Sequence, residues 1–582
     1  MTFKKIKTNL HFKKRWDIWA LGLLIILAFL VRSYNLHDWL YFKSDQARDA
    51  NAISAAFENG PSELPLLGPR AGGTDLFLGP AYLYIQFLTT KITGNLHPPT
   101  FAYSNLAFLL LSIPLFYLLL RQFFHKGVSL LVSSIYASSY VLAQYSRFSW
   151  NPNSIPFWGL SFLLGIYKSS TSTNKAGWWL ILSAFSYGIV SQLHFLALLG
   201  YPFVAILFWI FYPPKKICWK FWVSAIAILL IMYSPVFLSD IKNNGNNLKN
   251  FQYALTNRAK ERPLNRSLIK TGEMYGKYYT FTLTSFVDDE FSKAYFLGDV
   301  IFLIGIGSIA YRRNKLSTKK GKLFWHPFIG LVLCWFLVFL FIHLKLAFDI
   351  NRTRFWFPSF HLPFIFLAFF FSVLWEMKNK ATGRSLVFVL TLLLVIANTT
   401  AIINWYKSLA IQKQAYFLKR TWTSTTLQQK DLITLSNMTK TISHMKTRAE
   451  QENKIVCFNA ESPFASAYKY IHRHCYPNYP IKRVSKTLSK HPNNCMFFVI
   501  EKDSKDAQYI IDEKFEQNYK ISLEDNPEHF GRIVLWRIKD FQTVQLENKK
   551  DPQENTNTGT TDTTTKKQKP GRKPRVYWKD LF

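Results

Sequence analysis

The chain has 582 residues, and 49% of them are hydrophobic, grouped in runs of bilayer-spanning length that exclude an ordinary soluble globular protein. Its formal net charge is +36, but much of the lysine and arginine sits in short segments between apolar runs, which marks cytoplasmic loops and argues against a nucleic-acid surface. Five cysteines show no metal-ligand spacing.

In chain order, a basic stretch from Lys4 to Arg15 precedes a first apolar segment at about 17–32. It has no small-residue cleavage site and more spans follow, so it reads as an anchor. Ten further spans are predicted at about 102–120, 127–143, 154–168, 176–192, 195–212, 220–238, 296–311, 324–344, 355–375 and 385–404. The apolar stretch 76–90 is short and contains Gly79-Pro80. Counted as a crossing, it would put the basic loops after Tyr212 and Tyr311 outside, so it is expected to be a juxtamembrane or re-entrant helix.

The resulting fold class is a polytopic α-helical membrane protein with about 11 transmembrane helices and a small C-terminal α/β extracytoplasmic domain. The N-terminus is cytoplasmic, and segments 33–100, 144–153, 239–295 and 345–354 face outward, as does everything after 405. Residues 1–404 form the membrane domain, with a first outer loop at 33–100 and a long one at 239–295 that is expected to act as a flap. In 405–546, residues 408–447 read as helix, 454–458, 495–501 and 533–538 as buried strands, and 464–473 as a helix. For the cysteines there, a Cys475–Cys495 disulfide and free core thiols are both open. Residues 547–582 are expected to be a disordered basic tail, lacking apolar residues until Val576-Tyr577-Trp578.

The concentrated chemistry lies just after the first span, in Ser44-Asp45-Gln46-Ala47-Arg48-Asp49-Ala50. Asp45 and Asp49 share one face of a helix with Arg48 beside them, an arrangement suited either to a general base held ionised by cations or to a plain ion pair. This stretch, with Arg32-Ser33-Tyr34-Asn35-Leu36 before it, resembles the opening of membrane glycosyltransferases of the protein O-mannosyltransferase and aminoarabinose transferase type, which have the C-type glycosyltransferase fold. Similar continuations are Leu67-Gly68-Pro69-Arg70, Gly72-Gly73-Thr74, Leu78-Gly79-Pro80-Ala81-Tyr82, Ser146-Arg147-Phe148-Ser149-Trp150-Asn151-Pro152-Asn153 and His194-Phe195. The resemblance covers about 17–404.

The resemblance implies a sugar donor linked to polyprenyl phosphate, with Asp45 as catalytic base and Arg48 and Asp49 as its supporting residues. The reaction would run with inversion, in the cell (plasma) membrane, onto a glycan, lipid or protein acceptor, without nucleic acid. Donor-phosphate candidates on the outer side are Arg147, Arg354 and Arg70, with Lys345 behind them. Tyr82, Trp150, Asn151, His194 and Asp240 are candidate substrate contacts. Each also has a bland reading as an interface anchor, helix cap or packing residue. No cofactor is called for outright. A divalent metal ion is the one considered, and Gln46 weakens that case because many relatives carry glutamate there. The rival functions are a glycan ligase or polymerase, or a lipid-linked-sugar transporter or flippase, which would predict charges within the spans and internal repeats.

Overall fold

The computed structural model describes residues 15–72, 74–257, 263–285, 296–317, 326–346, 352–412, 431–483, 494–502, 519–524, 526–543 and 575–581. The first apolar run forms α1 (Trp16–Ser33), the acidic motif opens α2 (Ser44–Asn59), and α3 (Ala81–Thr93) starts directly after Gly79-Pro80. Then come α4 (Thr100–Leu120), α5 (Lys126–Ser138), α6 (Tyr140–Tyr145), α7 (Ile155–Thr171), α8 (Ala176–Leu193), α9 (Phe195–Phe211) and α10 (Trp219–Lys242). The remaining helices of this region are α11 (Asn246–Asn257), α12 (Leu264–Thr284), α13 (Phe296–Ser317), α14 (Pro327–Lys345), α15 (Leu362–Trp375) and α16 (Lys380–Ile411).

Among the described residues six helical runs are long and apolar enough to cross a bilayer: Trp16–Ser33, Thr100–Leu120, Trp219–Lys242, Pro327–Lys345, Phe357–Trp375 and Lys380–Ile411. Each stretch expected to span coincides with a helix or a broken helix, the break in the third falling between α5 and α6 at Ser139. Leu23, Ile26 and Leu27 of α1, Val223 and Leu230 of α10, and Phe388 and Leu393 of α16 are exposed. A continuous aliphatic exterior of this kind is stable against hydrocarbon and not against water, and the protein is integral to a membrane. Inside the bundle, Arg32 is buried and ties three helices together, donating from Nη1 to Leu109 O at 3.1 Å and from Nη2 to Ala137 O at 2.9 Å.

Segment 239–295 differs from the open loop that was expected. It carries α11 and α12, and α12 is buried almost continuously from Met274 to Thr284 against α13, α14 and α16. Tyr278 stacks on Trp356 with ring centroids 4.3 Å apart. The acidic run 288–290 lies outside the described residues.

After α16, α17 (Leu435–Gln451) and α18 (Ser462–Cys475) accompany a mixed sheet of β1 (Ile455–Ala460), β2 (Ile481–Arg483), β3 (Cys495–Lys502), β4 (Tyr519–Leu523), β5 (Glu528–Phe530) and β6 (Ile533–Thr543). The strand order is β2-β1-β3-β6-β4, with β5 also on β6; β1 pairs in parallel with β2 and β3, and the others are antiparallel. Parallel pairing sets β1 beside β3, so the disulfide is Cys457–Cys495 and not Cys475–Cys495; Cys475, on α18, is a free thiol. The expected tail also needs correction at its end. Residues 544–574 lie outside the described residues, but Arg575–Leu581 packs back on the segment between α2 and α3, where Tyr577 bridges to Pro65.

This α/β region rests on α2. Lys43, preceding the helix, pairs with the buried Asp431, and Arg473 Nη2 reaches Glu58 Oε2 at 2.7 Å at its other end. Between them Phe42 packs on Tyr470, whose hydroxyl donates to Leu96 O at 2.8 Å.

Candidate active site

The N-terminus of α2 is fixed from within. Gln46 Oε1 accepts the Lys43 N–H at 3.0 Å, satisfying a backbone donor that a helix start leaves open. Gln46 is therefore a buried capping residue, with its side chain turned away from any ligand role. One turn on, the Arg48 guanidinium is forked between two carboxylates. Nη1 donates to Asp45 Oδ1 at 2.8 Å, while Nε and Nη2 donate to Asp49 Oδ1 and Oδ2 at 2.8 and 3.0 Å.

The two acids differ in setting: the Asp45 side chain is 50% exposed and that of Asp49 2%. Burial pushes the Asp49 carboxyl above its ordinary range, opposed chiefly by the charge and hydrogen bonds of Arg48. The same carboxylates hold Arg48 above its own ordinary value against desolvation. Asp45 is the member of the triad with one oxygen bound and its face open.

That face lines a polar cavity of about 390 Å³. Asp45 and Arg48 form one wall, the hairpin from Pro69 to Leu78 a second, Trp150 to Pro152 a third, and His194, Arg354 and Phe355 close it. The hairpin is held by Gly68 N to Leu78 O at 2.8 Å and Leu78 N to Pro69 O at 2.9 Å. Two glycines serve close approach: a Cβ on Gly72 would come within 3.0 Å of Arg354 Nη2, and one on Gly79 within 2.1 Å of Gln192 Oε1. Gln192 Oε1 accepts Ala81 N at 3.1 Å, and Asn247 of α11 clips the Phe77 peptide through both its N–H and its C=O. Arg354 lies over the Trp150 ring at 5.6 Å, Asn151 Nδ2 donates to Leu193 O, and His194 Nδ1 accepts Leu196 N to cap α9.

Of the residues singled out from sequence, Asp45, Arg48, Arg70, Trp150, Asn151, His194 and Arg354 converge on this cavity. Five lie apart from it, Lys345 among them. Arg147 is buried, with Nη1 donating to the carbonyls of Arg32 and Tyr34 at 2.8 and 2.7 Å and to the Tyr406 hydroxyl at 3.1 Å, so it braces the end of α1 and does not reach for phosphate. Tyr82 is buried against Ser149 behind the triad. Asp240 Oδ1 accepts Asn247 N at 2.7 Å and so fastens the start of α11. Asp49 supports from below.

Sequence reasoning missed Asp75, which pairs with Arg70 at 3.4 Å inside the cavity, along with Thr74 and the pair Phe195–Leu196. The Gly72-Gly73-Thr74 turn was the available signal for Asp75. Phe195 and Leu196 also line a second cavity of about 770 Å³, almost wholly aliphatic and aromatic, running between α9 and α14 with Lys345 at its rim.

As to a metal, no group of three or more His, Cys, Asp or Glu able to hold one gathers among the described residues. Asp45 and Asp49 both bind Arg48, and Gln46 caps the helix, so this donor set does not fit a divalent ion.

No family model matches the chain, and no curated protein matches its sequence. Solved structures do. ArnT from Cupriavidus metallidurans in the apo state matches with a TM-score of 0.50 at 9% identity, over 90% of this chain and 98% of that one. The same protein bound to undecaprenyl phosphate gives 0.47 at 10% identity over 90% and 98%. The archaeal oligosaccharyltransferase AglB from Archaeoglobus fulgidus, with an inhibitory peptide and a dolichol-phosphate, gives 0.47 at 13% over 92% and 75%. The likeness to apo ArnT is one of fold, and the chain has the C-type glycosyltransferase fold.

Proposed function

We propose that this protein transfers a sugar from a polyprenyl-phosphate-linked donor to an acceptor hydroxyl at the outer face of the cell membrane. The observation that carries the reading is the junction at Phe195–Leu196, where an arginine-lined polar cavity meets an apolar groove on the bundle. A ligand with a charged, sugar-bearing head and a long hydrocarbon tail matches both halves. Neither a water-soluble nucleotide sugar nor a simple lipid does.

Asp45 takes the proton of the acceptor hydroxyl, whose oxygen attacks the anomeric carbon. The bond from that carbon to the phosphate oxygen breaks, and polyprenyl phosphate leaves carrying the electron pair. Arg354 and Arg70 line the cavity where that charge develops and take it up through planar, bidentate donors. Asp49 is locked on both oxygens by Arg48 and is not free to act as a nucleophile, so a single displacement with inversion follows. Trp150, beneath Arg354, walls the side of the cavity that receives the sugar ring.

Eleven spans with a cytoplasmic N-terminus are supported by helices at the expected positions and by the basic sequence of alternate connecting segments. A disulfide between Cys457 and Cys495 fits an oxidising, extracytoplasmic setting for the C-terminal region.

The test uses the purified protein in nanodiscs with short-chain polyprenyl-phosphate hexoses and pentoses. Release of polyprenyl phosphate and formation of an inverted glycoside are the expected results. Absence of turnover with every donor, together with no binding of undecaprenyl phosphate, would overturn the proposal.

A further inference from the structure

The C-terminal residues Arg575–Leu581 return to the loop that lines the polar cavity. From 547 to 575 the sequence contains no aliphatic or aromatic residue, and then it reads Val576-Tyr577-Trp578. Val576 and Tyr577 dock in extended form, Tyr577 bridging to Pro65, and Trp578–Asp580 turn into a short 3-10 helix. Leu66 N donates to Val576 O at 2.9 Å, Trp578 Nε1 donates to the Tyr84 hydroxyl at 2.9 Å, and Lys579 pairs with Glu63 at 2.9 Å.

Arg575 makes the contact nearest the site. Its Nη2 donates to Gly68 O at 3.0 Å, and its guanidinium lies 5.5 Å from the Phe77 ring. Gly68 is at the neck of the hairpin whose two arms, Pro69–Gly72 and Thr74–Leu78, line the cavity. One guanidinium thus touches both arms at their base. Arg575 also acts electrostatically on Asp49: burial raises that carboxyl, Arg48 opposes the rise most strongly, and Arg575 adds to the opposition.

We propose that the C-terminal segment is an intramolecular strap that holds the cavity hairpin in register with the Asp45–Arg48–Asp49 triad, with Arg575 as its positioning residue. The strap stands on geometry alone, and only its kinetic readout rests on the transfer reaction proposed above. The basic-aromatic peptide of the chain's own end occupies a surface made by Glu63, Pro65, Gly68, Phe77 and Tyr84.

Four preparations test it: the full chain, a chain ending at residue 574, Arg575→Ala and Arg575→Lys. Hydrogen exchange over 64–79 is read alongside donor turnover. The truncated chain should exchange over 64–79 about tenfold faster with the sheet of 455–543 unchanged, and a synthetic peptide of residues 575–582 should restore protection. Arg575→Ala should move the acidic limb of the kcat/KM profile to higher pH, because losing a cation raises Asp49, and Arg575→Lys should move it back. Unchanged protection in the truncated chain overturns the strap. Changed protection with an unmoved pH limb overturns the positioning role of Arg575. If the full chain turns over no donor, the transfer reading fails and the exchange result still decides the strap.

Discussion

Asparagine at position 45 and asparagine at position 49 perturb the same arginine with opposite consequences. Asp45 is half exposed and meets Arg48 through one hydrogen bond, so Asp45→Asn gives up an ion pair of the solvent-screened kind, about 0–1 kcal/mol of stability. Its effect on turnover is far larger. A positioned general base contributes about 100- to 10,000-fold, or roughly 3–5 kcal/mol of barrier. Asp49 is buried and holds Arg48 at two points, so Asp49→Asn leaves a guanidinium that has lost its enclosed partner. Breaking a buried pair costs about 3–5 kcal/mol, and the partial exposure of Arg48 puts this case at the lower end.

The assay is release of polyprenyl phosphate in nanodiscs, run beside apparent unfolding temperature followed by tryptophan fluorescence. Asp45→Asn should unfold with the parent and lose nearly all turnover, while Asp49→Asn should unfold well below it. The base assignment is refuted if Asp45→Asn keeps more than about a tenth of parental turnover, or loses it only in step with unfolding.

Other changes read different parts of the site. Gly79→Ala drives a methyl into Gln192 Oε1 and should cost about 1–3 kcal/mol and raise the donor KM, as measured by unfolding temperature and steady-state kinetics. Arg354→Lys keeps the charge but loses the planar fork and the stacking on Trp150, so kcat should drop while the unfolding temperature stays put. Cys457→Ser opens a cross-link of sequence separation 38 and should cost up to about 4 kcal/mol, with the native pairing checked by non-reducing peptide mapping. For pH, the raised Asp49 carboxyl binds its proton more readily in the folded than in the unfolded chain. Its contribution to stability is therefore largest below the ordinary value of 3.8 and falls as pH climbs through the raised one. Turnover runs the other way, because ionised Asp49 is what holds Arg48. The acidic limb of kcat/KM should lie above 3.8, and a limb at or below it would refute the coupling.

The bilayer made much of this fold legible. Hydrocarbon thickness fixes helix length, and loop charge fixes sidedness, so both can be counted before any packing is known. Sidedness in turn put Asp45, Arg70, Trp150, His194 and Arg354 at one level, and the cavity holds all five. Arg147 and Asp240 share that level, yet their side chains turn to backbone groups of α1 and α11. That choice depends on helix rotation and on which carbonyls are left open, neither of which has a sequence signature. The same holds for Cys457, which meets Cys495 because two strands 38 residues apart lie side by side in parallel. The docking of Arg575–Leu581 was hidden by composition: a run of polar residues ahead of it outweighed three apolar ones.

The pairing of Lys43 with Asp431 joins residues 388 positions apart and braces the entry to the helix that carries Asp45. During synthesis α2 leaves the ribosome early and stays without this support until the chain beyond α16 has been made and folded. The brace on the helix that carries the proposed base is thus set late, after the membrane helices have been made. A nascent or prematurely terminated chain should be inert in the bilayer, and the first turnover of each molecule should mark the completion of its last-made region.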